Sequence, residues 1–221
     1  MSRSTQSKAV RTTLVLVRHA HTDMAGTFCG TSDPPLSAEG VAQLAALNEK
    51  LKTYPITHIF SSDLQRALQT AESIAQRCGL EIHCLESLHE LAFGSWEGLD
   101  WDQIMARDSA YAQRWLDHYP SVPAPGGEDF SSFLTRIQRA MDSIVEQAAG
   151  GCAVVVTHGG VIRTFLNTLV PQHGAPFDRT TCDYVSCWEI SHEAGQWHLP
   201  GLASANAEPC AQAPDRSEKA S

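Results

Sequence analysis

The chain has 221 residues, of which 43% are hydrophobic and 19% are charged, and Asp and Glu outnumber Lys and Arg by 25 to 16. This composition belongs to a globular protein with a sizeable core, and it excludes a disordered or fibrous chain. The formal net charge of −9 opposes binding to nucleic acid or to an anionic membrane surface. A local group of basic residues would therefore serve a specific purpose, such as binding an anion.

The sequence carries no signal for a membrane or for export. Its uninterrupted apolar runs, such as residues 14–17, fall far short of the roughly 18 residues that a membrane span needs. The polar segment 1–11 lacks the apolar stretch of a secretory signal, and we expect it to be flexible. The seven cysteines include no C-x-x-C pair, which favours reduced thiols over a disulfide framework or a zinc site. These features predict a cytoplasmic protein.

Hydrophobic periodicity predicts alternating strands and helices. The predicted strands are 12–17, 56–60 and 153–156, and a late hairpin joins 187–190 to 197–199. The predicted helices are 37–51 with Ser37 as its cap, 64–79 preceded by a capping box at 62–65, 130–148, and 161–170. Such alternation predicts a single-domain α/β fold with three layers, α/β/α, and a mostly parallel sheet.

Two further regions complete the predicted organisation. The aromatic-rich segment 91–125 has a patchy pattern, and we expect short helices there over the mouth of an active site. The domain is expected to span 12–202, and the polar tail 203–221 to be disordered.

Candidate functional residues stand where predicted parallel strands end, which is where ligands bind in such sheets. The first strand runs into Arg18 and His19, and the 153–156 strand runs into His158, followed by two glycines that admit close approach to a helix N-terminus. Arg66 falls in the first turn of the 64–79 helix, where a cation is unfavourable for the helix dipole. Together these residues predict an anion site in which Arg18 and Arg66 grip a phosphoryl group.

A carboxylic acid is also available near this site. Glu90 lies among apolar and aromatic residues, a setting suited to giving a proton to a leaving oxygen. A neutral imidazole is a good nucleophile near pH 7, and two guanidiniums with a second imidazole stabilise the charge on the transferring group. No metal-binding pattern accompanies the histidines, so we expect neither a metal nor another cofactor.

Four ordered segments resemble the motifs of the histidine phosphatase superfamily, the phosphoglycerate-mutase-like enzymes. They are Arg18-His19-Ala20, 62–71, 90–98 and 157–160, and the likeness covers about residues 12–200. The resemblance implies that His19 is the nucleophile that forms a phosphohistidine and that Glu90 is the proton donor. It also implies a phosphoryl-binding group of Arg18, Arg66 and His158, to which we add Thr22 and Gly159.

The first motif departs from the pattern of the family. Ala20 stands where the family usually has glycine, and His21 stands where it has Glu or Gln. We therefore expect the contacts of the first loop to differ from those of other members, while Thr22 matches the pattern.

Within the superfamily, the segments around Gly30 and 125–128 look most like the α-ribazole phosphatase branch. That resemblance implies hydrolysis of α-ribazole 5′-phosphate in cobalamin assembly. Gly30 and Glu128 are the predicted substrate-binding residues, with Glu128 meeting a sugar hydroxyl or simply belonging to a turn. The alternatives are a broad-specificity sugar-phosphate phosphatase, a phosphoglycerate-type mutase and an inactive phosphate-binding regulatory module. The expected partners are a small phosphorylated metabolite and a second copy of the chain in a homodimer.

Overall fold

The computed structural model describes residues 10–169 and 182–199. A six-stranded sheet forms the central layer of the fold. The strands are β1 (Thr12–Arg18), β2 (His58–Ser61), β3 (Ile82–Cys84), β4 (Cys152–Thr157), β5 (Cys187–Glu193) and β6 (Gln196–His198). Their order across the sheet is β3-β2-β4-β1-β5-β6. The first four strands are parallel, whereas β5 pairs antiparallel with β1 and β6 with β5. The predicted mostly parallel sheet is confirmed.

Helices cover both faces of the sheet. They are α1 (Ala38–Lys50), α2 (Gln65–Cys78), α3 (Trp101–His118), α4 (Phe130–Gln147) and α5 (Gly159–Thr164). Side chains alternate across a strand, so β1 supplies Leu14 and Leu16 to the core beneath α4 and α5 and supplies Val15 and Val17 to the core beneath α1 and α2. The three-layer α/β/α fold is therefore confirmed. No helix within the described ranges has the length and apolar character needed to cross a membrane.

Several predicted boundaries agree with the structure. Ser37 caps α1, and its side chain accepts a hydrogen bond from the Gly40 N–H at 3.1 Å. Gly79 ends α2 in the left-handed conformation, with φ 67°, which glycine adopts without a steric penalty. The predicted late hairpin is present as β5 and β6.

The predicted capping box at 62–65 is wrong. Helix α2 begins at Gln65, and its N-cap residue, Leu64, makes no side-chain capping bond. The Gln65 N–H instead donates to the carboxylate of Asp33 at 2.6 Å. The Ser62 hydroxyl is hydrogen-bonded to the ring of His158, a partner that lies far away in the sequence.

The segment 91–125 contains the short helices that its pattern predicts. They are a 3-10 turn (Gly94–Trp96) and the two parts of α3, which non-helical backbone at Asp108 (φ −156°, ψ 83°) separates. Two other elements differ from the prediction. The edge strand β3 was not predicted, because it has three residues and two of them are exposed. Helix α5 ends at Thr164 and continues as a wide helical turn (Phe165–Leu169). Val170 and the terminal segments 1–9 and 200–221 lie outside the described residues.

Candidate active site

Three neighbouring parallel strands bring the predicted functional residues to one edge of the sheet. Arg18 at the end of β1 is in register with Thr157 at the end of β4, and the His19 N–H donates to the Thr157 carbonyl at 2.9 Å. The rings of His19 and His158 therefore lie 5.1 Å apart, centroid to centroid, in an edge-to-face arrangement. The structure thus brings together the histidines that the sequence placed at two strand ends.

The local contacts of His19 define which ring nitrogen can react. Its Nδ1 lies 2.8 Å from the carbonyl oxygen of Ala20, and because a carbonyl only accepts, Nδ1 must carry the proton. The other ring nitrogen, Nε2, therefore keeps a lone pair. Burial, with the nearby charges of Arg66 and Arg18, lowers the pKa of His19 to about 3. The ring is a neutral imidazole at pH 7, as a nucleophile requires.

His158 is oriented by a serine. Its Nε2 lies 2.9 Å from the Ser62 hydroxyl, which also accepts the Leu64 N–H at 3.4 Å. We assign the Ser62 proton to the bond with Nε2, which leaves the ring proton of His158 on Nδ1. Burial, followed by the proximity of His19, holds the pKa of His158 well below its usual value. The neutral ring then offers one N–H donor.

The two predicted phosphate-binding arginines are both held by backbone carbonyls. Arg66 is fully buried, and its Nη groups donate to Ser32, Gly30 and Cys29 at 2.5, 2.8 and 3.4 Å. Arg18 donates to the carbonyl of Cys182. These bonds fix the two guanidiniums by their outer nitrogens.

Three buried nitrogens at the site have no hydrogen-bond partner within residues 10–169 and 182–199. They are Nε of Arg18, Nε of Arg66 and Nδ1 of His158. A buried donor without an acceptor costs free energy. An anion with several oxygen atoms, such as a phosphoryl group, would supply the missing acceptors, and a group of this kind fits the predicted role of all three side chains.

Glu90 meets the N-terminus of α5. Its Oε2 accepts the Gly160 N–H at 2.7 Å, and its Oε1 accepts the Leu91 N–H at 2.9 Å. A Cβ atom at Gly160 would stand 2.1 Å from Oε1 of Glu90, so any side chain there would displace the carboxylate from this position. A Cβ atom at Gly159 would make only ordinary van der Waals contact, at 3.4 Å from Arg163 and 3.5 Å from Arg18. The close approach of the carboxylate therefore depends on Gly160.

The remaining predicted residues occupy supporting positions. Thr22 is buried in the loop after β1, and its contact with phosphate stays a prediction. Gly30 has both backbone groups engaged, since its N–H donates to Glu97 and its carbonyl accepts from Arg66. The structure thus gives Gly30 a role in holding Arg66, and its direct contact with substrate stays a prediction.

Glu128 forms a two-point ion pair with Arg136. The distances are 2.8 Å from Oε1 to Nε and 2.9 Å from Oε2 to Nη2. Glu128 also lines a groove of about 640 Å³ that contains Glu90. The carboxylate already has Arg136 as its partner in the protein. The contact of Glu128 with a sugar hydroxyl stays a prediction.

The sequence did not indicate the role of Tyr184. Its ring lies 3.9 Å from Cζ of Arg18, and its centroid is 5.6 Å from that of His19 and 5.1 Å from that of His21. Tyr184 lies three residues before the start of the antiparallel strand β5, which pairs with β1. Only that pairing, which periodicity does not reveal, brings this tyrosine over the arginine.

The described ranges contain no group of three or more His, Cys, Asp or Glu side chains arranged to hold a metal ion. Cations at the site are instead supplied by arginine. The third arginine close to it, Arg163, packs its guanidinium against Gly159 together with that of Arg18. Arg163 is not among the residues predicted for the site, because its position inside a short helix carries no distinctive pattern.

The family model of the histidine phosphatase superfamily (branch 1) matches residues 14–204. The chain therefore belongs to that superfamily, which confirms the resemblance drawn from the four motifs. A superfamily of phosphatases and mutases supports a phosphatase-type enzyme.

Individual relatives carry several different names. The chain is 30% identical to the probable phosphoglycerate mutase GpmB of Salmonella choleraesuis over 188 residues, which cover 84% of this chain and 87% of the relative. A candidate α-ribazole-5′-P phosphatase from Escherichia coli superposes with a TM-score of 0.75 at 25% identity, covering 86% and 94% of the two chains. A mycobacterial glucosyl-3-phosphoglycerate phosphatase gives a TM-score of 0.74 at 28% identity, covering 87% and 97%.

Proposed function

We propose that this protein is a phosphomonoesterase that works through a phosphohistidine on His19. The observation that carries the proposal is the state of His19: Nδ1 is bound to the Ala20 carbonyl, which leaves Nε2 unprotonated beside two arginines. The unpartnered nitrogens of Arg18, Arg66 and His158 would receive the phosphoryl oxygens. Charge compensation by guanidinium groups makes a metal ion unnecessary for this reaction.

The reaction would proceed in two steps. In the first, Nε2 of His19 attacks phosphorus, the bond from phosphorus to the ester oxygen breaks, and Glu90 gives its proton to the departing alcohol. In the second, water attacks the phosphohistidine, the bond from phosphorus to nitrogen breaks, and the Glu90 carboxylate takes a proton from the water. Inorganic phosphate leaves, and neutral His19 and protonated Glu90 are regenerated.

The groove beside Glu90 supports a small hydroxylated leaving group. Most of its lining residues carry polar side chains, among them Thr31, Ser87, His89, Glu128 and Arg136. Such side chains can exchange hydrogen bonds with the hydroxyls of a sugar or a glycerate. We propose a small phosphorylated metabolite as substrate, and α-ribazole 5′-phosphate in cobalamin assembly as the specific candidate, because an α-ribazole-5′-P phosphatase is among the structural neighbours.

A phosphoglycerate-type mutase is the second candidate, and the name of the relative GpmB favours it. A broad-specificity sugar-phosphate phosphatase would use the same residues. The two outcomes differ in the fate of the phosphoryl group, which goes to water in a phosphatase and to a second hydroxyl in a mutase. Product analysis with α-ribazole 5′-phosphate, 3-phosphoglycerate and p-nitrophenyl phosphate separates them, and no turnover of any substrate would favour the inactive binding module.

The covalent intermediate gives the direct test. After brief exposure to substrate and rapid quenching, peptide mapping by mass spectrometry should find the phosphoryl group on His19. The His19→Ala variant should lose both the intermediate and turnover, while His21→Ala, a histidine two residues away that is bonded to Ser37, should keep the intermediate. A phosphorylated His158 or serine with unmodified His19 would overturn the proposal.

We also propose that the protein acts in the cytoplasm. The six cysteines within the described ranges are free thiols, as a reducing compartment favours. Cell fractionation tests the location, and measurement of the mass in solution tests the predicted homodimer.

A further inference from the structure

Arg66 carries a buried charge without a direct ion pair. Its side chain is 1% exposed, and the Arg66 guanidinium forms no salt bridge with a carboxylate in the described part of the chain. A buried cation is costly unless it is compensated. Its three partners are the carbonyls of Cys29, Gly30 and Ser32, so the loop 29–32 supplies the negative ends of peptide dipoles.

On its opposite side, the same loop is hydrogen-bonded to a single carboxylate, that of Glu97. Glu97 accepts the N–H groups of Gly30, Thr31 and Ser32 at 3.1, 3.0 and 3.1 Å. It also accepts the Ser32 hydroxyl at 2.6 Å and the Phe93 N–H at 2.9 Å. Burial alone would raise the pKa of Glu97, but the hydrogen bonds from Ser32 and from the backbone outweigh it and lower the pKa. Glu97 is therefore ionised at neutral pH.

Two peptide groups of the loop, 29–30 and 30–31, thus lie between two opposite charges. Each has its N–H on the Glu97 carboxylate and its carbonyl on the Arg66 guanidinium, an alignment in which each charge stabilises the other through the peptide dipoles. A carboxylate in direct contact with Arg66 would compete with phosphate for the guanidinium. Compensation through the loop leaves Nε of Arg66 without a partner within the described ranges.

We propose that Glu97 is a positioning residue that fixes Arg66, through the loop 29–32, in the geometry that binds a phosphoryl group. The inference rests on the phosphate site of the proposed function, but it concerns binding and requires no turnover. The contact between the loop and Glu97 also depends on the absence of a side chain at Gly30. A Cβ atom on Gly30 would lie 2.1 Å from the Leu91 carbonyl and 2.5 Å from Oε1 of Glu97, so an alanine would force the loop away from the carboxylate.

The test measures the affinity for inorganic phosphate by calorimetric titration. Glu97→Gln keeps the size of the side chain but places an NH₂ group against backbone N–H donors. Bonds to a charged group are the strong ones, so phosphate affinity should fall about 10-fold or more. Glu72→Gln on the exposed face of α2 removes the same charge away from the site and should leave the affinity unchanged. Gly30→Ala should lower it in the same direction as Glu97→Gln.

A double-mutant cycle separates positioning from general stability. In a background of Arg66→Met, Glu97→Gln should cause no further loss of phosphate affinity, because Glu97 acts through Arg66. Equal losses in both backgrounds would overturn the proposal, as would full affinity in a folded Glu97→Gln protein. If Glu97→Gln does not fold, Ser32→Ala, which removes only the 2.6 Å bond, is the milder variant. It should weaken phosphate binding by a smaller factor that again disappears without Arg66.

All of these experiments measure phosphate binding, and none of them depends on catalytic turnover. A protein that binds phosphate with the predicted coupling but forms no phosphohistidine would contradict the proposed function and leave the role of Glu97 supported. A protein that forms the phosphohistidine but shows no coupling would do the reverse.

Discussion

The guanidinium of Arg136 holds the backbone carbonyl of Glu90, with Nη2 2.9 Å from the carbonyl oxygen. The same guanidinium donates to the carbonyls of His89 and Ser87 at 2.6 and 3.0 Å, and its remaining edge is paired with Glu128. Helix α4 therefore fixes the irregular segment that carries the proposed proton donor. Rigid support of this kind maintains the orientation on which proton transfer depends.

Arg136→Lys should impair reactions that need the proton donor. A lysine cannot reproduce the planar fork that serves several carbonyls and a carboxylate together, so the segment 87–90 should lose its fixed position. We expect turnover of an alkyl phosphate to fall about 10-fold or more, with a smaller loss for p-nitrophenyl phosphate, whose leaving group departs without a proton. Steady-state rates on the two esters check this.

Arg139→Lys is the matched control, because Arg139 is exposed on the same helix. Equal losses on both esters for Arg136→Lys would mean that the substitution disturbs the whole site, and would contradict a selective role at Glu90.

The stability of the protein should fall as the pH drops below the ordinary pKa of histidine. The pKa of His19 is about 3 in the folded chain, against 6.5 as its ordinary value, so the unfolded chain binds the proton more readily. The contribution of neutral His19 to the free energy of unfolding is therefore fully present well above pH 6.5 and is lost as the pH falls toward 3. His158, whose pKa is also lowered, contributes in the same direction.

Urea unfolding at pH 7.5 and pH 5 tests this effect. Between these values His19 alone should account for about 2 kcal/mol of lost free energy of unfolding. His19→Asn cannot be protonated, so it should lose less stability than the wild type over the same interval. An equal loss in both proteins would show that His19 does not carry the linkage.

The strand-end residues could be predicted because two local signals act together. A buried apolar run ends in polar residues, and parallel strands present those ends at one edge of the sheet. His19 and His158 were found in this way, and the structure places their rings 5.1 Å apart. The helix-dipole argument likewise singled out Arg66, which is buried at the start of α2.

Contacts between distant segments could not be predicted from the sequence. The sequence pattern predicted that Ser62 caps a helix. In the structure its hydroxyl is hydrogen-bonded to His158, 96 residues away. Short helices were expected in 91–125, but the bounds of α3 could not be predicted. Its aromatic residues, among them Trp101 and Trp115, pack in a local aromatic cluster with Phe28 and lack the regular spacing of a helix on a sheet. The carbonyls that hold Arg66 come from a loop without periodicity.

Activity should survive the removal of divalent metal ions. The arginines at the site supply positive charge where a metal ion would otherwise be needed to stabilise the transferring group. We expect the rate of phosphate release to be unchanged after treatment with excess EDTA and desalting. Loss of activity that a divalent ion restores would contradict the metal-free mechanism.

Glu90→Gln should produce a loss that depends on the leaving group. The amide cannot give up a proton to the ester oxygen, and general acid catalysis is worth about 10²–10⁴-fold. The rate on an alkyl or ribosyl phosphate should fall within that range, while the rate on p-nitrophenyl phosphate should fall much less. Rates of formation of the phosphohistidine on each ester, measured by rapid quenching, isolate the step in which the alcohol leaves.

Two other glutamates give the comparison that the role of Glu90 requires. Glu86 lines the same groove and is exposed, so Glu86→Gln should leave the ratio of the two rates unchanged. Glu97→Gln should weaken phosphate binding and lower kcat/KM for both esters alike. Four of the hydrogen bonds of Glu97 hold the loop 29–32 and the fifth holds the Phe93 N–H, so none is left to protonate a leaving group. Only the group that protonates the leaving oxygen makes the loss of rate depend on the leaving group. A selective loss on the alkyl ester in Glu97→Gln would therefore make Glu97 the proton donor. An equal loss on both esters in Glu90→Gln would show that Glu90 is not the proton donor.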